Sequence, residues 1–187
     1  MSRALIVVDV QNDFCEGGSL GVTGGTEVAG GVTELIKNEG HRWDHIVATR
    51  DWHIDPGGHF SAEPDFRDSW PPHCVVGTHG AQFHPAFDRT RVEAVFDKGA
   101  YEAAYSGFEG SSGETGLAQW LREHGVEAVD VVGIATDHCV RATALDAVRE
   151  GLTATVLLDY TAAVAEETKA KALEELAEAG VRIESTS

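Results

Sequence analysis

The chain has 187 residues, enough for one ordinary domain and too few for two independent cores, so 1–187 is read as a single unit. Asp and Glu number 31 against 14 Lys and Arg; the formal charge of -17 repels phosphate backbones and anionic lipid, which excludes nucleic acid and membrane as partners. Hydrophobic residues at 42% and charged residues at 24% are near globular averages, which excludes disorder, fibrous repeats and coiled coils. The acidity reads most simply as a solubility device, with adaptation to high salt as the other reading. Cys15, Cys74 and Cys139 cannot all pair, and the apolar run in MSRALIVVDVQND is too short for a membrane span and lacks a cleavable signal pattern. A reducing cytoplasm is expected, and the oligomeric state is left open.

Residues 4–8 form a continuous apolar, branched run of strand length, and 46–49 form another; neither alternates, so both faces are expected to be covered. Between them, 28–38 place Val28, Val32, Leu35 and Ile36 on one helical face, with Gly40 as the stop. All five prolines lie between Pro56 and Pro85, so the irregular part follows the second strand. Beyond it come a strand at 92–96, a helix at 117–124 closed by Gly125, and a buried strand at 129–134. A helix at 138–150 follows, then a strand at 153–158, a helix at 166–179 and a last strand at 181–184. Six strands alternating with helices predict an α/β fold with a doubly wound, mainly parallel sheet and helices on both faces.

In such sheets ligands bind outside the carboxyl ends of the strands. The first strand ends in Asp9, the third in Asp97 and Lys98, and the fourth runs through GIATDHC to Cys139 at a helix start. Each has a plainer alternative: a turn cap, a solvent-exposed ammonium, a small buried apolar residue. Together they supply a base, a cation and a nucleophile for acyl transfer, with the helix start and Lys98 expected to lower the thiol pKa. Cys15 and Cys74 lie in loops and read as structural.

Residues 51–91 show no long periodic element, yet Trp52, Phe60, Phe66, Trp70, Phe83 and Phe87 argue against disorder. Within them, Asp51, His53, His59 and His73 offer carboxylate and imidazole ligands for a divalent transition metal; scattered loop histidines facing water are the other reading. His41, His45, His79, His84 and His124 are assigned to the surface. The glycine-rich GGSLGVTGGTEVAGG fits no phosphate-binding pattern and reads as turns.

The segments IVVDVQNDFCEGGSL, VATRDWHIDPGGHFS, SWPPHCVVGTHGAQFHP, VFDKGAYEAAYSGFEG and VDVVGIATDHCVRATALDAV resemble, nearly end to end, the nicotinamidase/pyrazinamidase group of the isochorismatase-like cysteine hydrolases. The resemblance implies a catalytic triad of Asp9, Lys98 and Cys139 and a metal site of Asp51, His53, His59 and His73 holding zinc, iron or manganese. It also implies a cis peptide between Ile134 and Ala135, with the amides of Ala135 and Cys139 forming an oxyanion hole. Pocket positions fall on Phe14, Trp70, Tyr105, Ile134, Ala135 and His138, and Ser61 near the metal. The implied partner is a small flat amide, nicotinamide or pyrazinamide. Relatives that cleave other small amides or a vinyl ether generally lack the metal quartet, and a metal-binding regulatory module has no use for the triad.

Overall fold

The computed structural model describes residues 2–185. One sheet runs through it, built from β1 (Ser2–Val8), β2 (His45–Asp51), β3 (Ala94–Lys98), β4 (Ser111–Ser112), β5 (Thr115–Gly116), β6 (Val126–Ile134), β7 (Thr153–Ala162) and β8 (Arg182–Glu184). Its order is β5-β4-β3-β2-β1-β6-β7-β8; β1, β2, β3, β6, β7 and β8 pair in parallel, and β4 and β5 add an antiparallel edge. The expected six strands are thus the parallel six. The other two were missed because each has two residues of Ser, Thr or Gly, too short to carry any period.

The continuous apolar runs have the reason expected of them. Side chains alternate across a strand, so Leu5 and Val7 enter one hydrophobic cluster while Ala4, Ile6 and Val8 enter another. The first cluster lies under α1 (Gly25–Glu39), through Val28, Ala29, Val32, Leu35 and Ile36. The second lies under α2 (Leu117–Glu123), α3 (Arg141–Arg149) and α4 (Glu166–Glu178), through Leu117, Leu121, Ala144, Ala147 and Leu176. Gly133 of β6 has a φ of +118°, and a Cβ there would stand 2.1 Å from the Val8 carbonyl oxygen. Glycine is what lets the two central strands close together at the ligand edge.

The helix expected at 138–150 begins earlier and differently. Thr136–Val140 form a wide π-helical turn, with the Val140 amide donating to the Ala135 oxygen at 3.0 Å, and α3 follows from Arg141. Periodicity over so few residues does not separate a π turn from an α turn.

The long segment after β2 is ordered by the QND that follows β1. The buried Gln11 amide donates to the carbonyls of Asp51 (2.8 Å) and Ala81 (2.9 Å) and accepts from Asp51 N–H at 2.9 Å. Asn12 holds the His79 carbonyl at 2.9 Å, and Asp13 accepts the Cys74 amide at 2.7 Å. Gln11→Ala leaves three buried backbone groups unpartnered and is expected to lower the unfolding free energy by about 3 kcal/mol in urea titrations; a loss below about 1 kcal/mol contradicts this account.

Candidate active site and metal centre

Parallel register brings the strand ends together. Asp51 pairs directly with Lys98 across β2 and β3, and Val8 pairs with Thr49 across β1 and β2. Just past β1, Asp9 adopts φ +49°, with its amide on the Thr49 carbonyl at 3.1 Å. Thr49 Oγ1 donates to Asp9 Oδ1 at 2.7 Å, and Lys98 Nζ donates to Asp9 Oδ2 at 2.7 Å. The same ammonium donates to Asp51 Oδ1 and stands 3.9 Å from Cys139 Sγ, contributed by the π-helical turn. Asp9, Thr49, Asp51, Lys98 and Cys139 are all buried.

Burial alone lowers the Lys98 pKa, but Asp51 and Asp9 outweigh it and hold the ammonium well above its ordinary value. Burial pushes the Asp9 carboxyl up, partly offset by Lys98 and reinforced by the charge of Asp51. Burial opposes the Asp51 charge too, but Lys98, His53 and His73 win there and hold it well below the carboxylate range. Cys139 departs from the sequence expectation: burial, with Asp9 and Asp51, raises the thiol well above its ordinary value despite Lys98. A lysine already shared by two carboxylates has too little field left to hold a thiolate. The protonated thiol is therefore favoured over the thiolate.

On the other side of Asp51 stand the histidines. His53 Nδ1 lies 2.6 Å from the Gly99 carbonyl and His73 Nδ1 2.9 Å from the Pro71 carbonyl. A carbonyl only accepts, so each ring carries a proton on Nδ1, which leaves Nε2 as the atom that could meet a metal. Those Nε2 atoms lie 3.4 Å and 3.6 Å from Asp51 Oδ2. His53 Nε2 and His59 Nδ1 are buried without a hydrogen-bond partner, and ligand atoms of His53, His59 and His73 lie within 4.8 Å of one another. Burial, then the neighbouring His73 and His53, lowers His59 to about 4, keeping it neutral. Orphaned imidazole nitrogens beside a carboxylate fit a divalent transition metal. Gly99 has a φ of +77°, and a Cβ there would meet His53 Cε1 at 2.6 Å, so its lack of a side chain admits the ring.

Asp51, His59, His73 and Cys139 face one cavity of about 430 Å³, and all six expected pocket residues, Phe14, Trp70, Tyr105, Ile134, Ala135 and His138, line it. Trp70 Nε1 donates to the Tyr105 hydroxyl at 3.2 Å, fixing one wall. The peptide between Ile134 and Ala135 is cis. Ser61 does not line the cavity; its hydroxyl accepts the Glu63 amide at 3.0 Å, and its own amide donates to the Trp70 carbonyl at 2.9 Å. His41, His79 and His124 are exposed as expected, whereas His45 and His84 are half-buried, His45 3.0 Å from Glu93 and His84 accepting the Ala86 amide at 3.0 Å. Sequence reasoning missed Thr49, Phe66, Val164, the stretch from Ser19 to Thr23, and Asp137. The buried Asp137 carboxylate accepts the amides of Val164 (3.0 Å) and Ala165 (3.2 Å), anchoring the turn that carries Cys139 to the start of α4. A TDHC segment shows the acid but not a partner 27 residues away.

The isochorismatase-domain profile matches residues 3–187. The chain belongs to the isochorismatase family. Among its relatives, the nicotinamidase/pyrazinamidase of Mycobacterium tuberculosis is 60% identical over 182 residues, covering 97% of each chain. The structure of the Pyrococcus horikoshii pyrazinamidase in complex with zinc superposes with a TM-score of 0.83 at 40% identity, covering 99% of each chain. PnC1 from L. infantum in complex with nicotinate superposes with a TM-score of 0.87 at 37% identity, covering 99% of this chain and 93% of that one. Against this isochorismatase background the donor set of Asp51 and the three histidines becomes measurable directly. Metal analysis is expected to find about one equivalent of a divalent ion, and chelation to lower Tm by roughly 5–10 °C. His73→Ala should abolish both; a chelator-insensitive Tm would count against a bound metal.

Proposed function

We propose that the chain hydrolyses nicotinamide to nicotinate and ammonia, and pyrazinamide to pyrazinoate by the same route. The observation that carries this reading is the buried meeting of Asp9, Lys98 and Cys139 at the wall of a cavity faced also by His59 and His73. The relatives named nicotinamidase and pyrazinamidase support the substrate class. Asp51, His53, His59 and His73 would hold one divalent transition metal, zinc or iron, which would supply Lewis-acid chemistry at the substrate ring.

The residues of the chain perform the rest. Phe14 and Trp70 hold the flat ring, Tyr105, Ile134 and His138 close its surroundings, and the carboxamide carbon is presented to Cys139 Sγ. Asp9 takes the thiol proton as sulfur attacks, the two groups being gathered by the Lys98 ammonium. The carbonyl electron pair moves onto oxygen, where the amides of Ala135 and Cys139 donate; losing one such donor costs about 2.7–4 kcal/mol in other enzymes. Asp9 gives its proton to the departing nitrogen, ammonia leaves, and a thioester remains. Water then attacks, Asp9 accepts its proton, the acid is released, and the proton returns to Cys139. Lys98 stays charged throughout and steadies Asp9 and the transient thiolate. The chain, 1–187, acts as one unit in the cytoplasm; among the described residues no helix is long and apolar enough to cross a membrane.

An ammonia-release assay with nicotinamide tests the scheme. Cys139→Ala is expected to reduce kcat by roughly 10⁴-fold or more, and Asp9→Asn comparably, because the two act as a unit. Near-normal turnover by Cys139→Ala would sink the scheme.

A further inference from the structure

Four large apolar side chains stand exposed among the described residues, Ile54, Phe66, Tyr101 and Val164, and two of them, Phe66 (60%) and Val164 (49%), line the cavity that holds Cys139. Phe66 also has a φ of +57°, a left-handed backbone that a bulky residue adopts only when its surroundings impose it. They do. Asp65 Oδ1 accepts the amides of Arg67, Asp68 and Ser69 at 2.9 Å each, and the Phe66 amide donates to the Ser69 carbonyl at 3.0 Å. The Phe66 ring meets Trp70 edge-on at 6.0 Å. Val164 comes from a different part of the chain and is fixed as firmly, its amide 3.0 Å from the Asp137 carboxylate. An exposed aromatic in a strained backbone contributes little to folding; apolar groups held rigidly around a cavity are binding surface.

We propose that Phe66, with Val164, is a specificity-determining residue that covers the C–H edge of the substrate ring and disfavours polar substituents there. The inference rests on the cavity binding an aromatic amide, as proposed above. With the carboxamide at Cys139 and the ring nitrogen toward the histidines, a pyridine ring has only C–H groups left to present to these side chains.

Phe66→Gly is the informative variant, because glycine adopts a positive φ freely and so deletes the ring while keeping the loop path. The KM for nicotinamide is expected to rise roughly tenfold with kcat within about twofold of wild type, the signature of lost uniform binding. Phe66→Leu should recover most of that loss, and Val164→Ala, on an independent element, should raise KM by about threefold. Tyr101→Ala, which removes an exposed aromatic outside the cavity, should leave KM unchanged. A preference for methyl-substituted over hydroxyl-substituted nicotinamides, at the ring position facing Phe66, should disappear in Phe66→Gly. Wild-type protein that releases no ammonia from nicotinamide overturns the activity itself. Active wild type with an unchanged KM in Phe66→Gly and Val164→Ala, or with kcat falling at constant KM, overturns this inference alone.

Discussion

The buried ammonium of Lys98 is the interaction on which the site depends. It is shared by Asp9 and Asp51 and reaches Cys139, all at the carboxyl edge of the central parallel strands. One cation against two carboxylates leaves the cluster a positive charge short in a buried setting, and an uncompensated buried charge is costly. The imidazoles of His53, His59 and His73 on the far side of Asp51 suit this deficit, because imidazole nitrogen is a ligand for a metal cation. Asp51 therefore belongs to both halves of the site, and removing Lys98 would disturb the nucleophile and the histidine cluster together.

The central strands were legible because burial on both faces leaves an uninterrupted apolar run, and the residues just beyond such runs are few. That is why Asp9, Lys98 and Cys139, which the structure brings together, stood out from strand ends alone. The set of Asp51 and three histidines was legible only as a composition; nothing in its spacing says that two rings are pinned by the Gly99 and Pro71 carbonyls. The direction of the thiol shift was misread because it is set by a sum over charges. Lys98 was visible as a neighbour, but its prior engagement with Asp51 follows from strand pairing. Phe66 was counted as evidence of order rather than as a wall of the cavity, since a positive φ at a phenylalanine leaves no mark in the sequence.

The segment between β2 and β3 shows how a long loop gains order with little core of its own. Its backbone is held by side chains of Gln11, Asn12 and Asp13, whose partners lie 40 to 70 residues away. Short bridges, His53 to Val75 and Phe60 to Trp70, tie the loop to itself. Cys139 is treated the same way, its turn fastened through Asp137 to the start of α4. Order at the site thus comes from side-chain to backbone hydrogen bonds between distant segments, which fix position without filling space.

The alternation of β1 between two hydrophobic clusters bears on how the length of the chain can change. Inserting or deleting one residue between Ala4 and Val8 would exchange the contents of both cores at once and rotate Asp9 away from Lys98. At Gly17, Gly57 and Gly113, by contrast, an added Cβ meets nothing within 4 Å, so the chain there runs through open space. A change of length is accordingly far better accommodated at such tips, while the first strand admits changes of side chain but not of count.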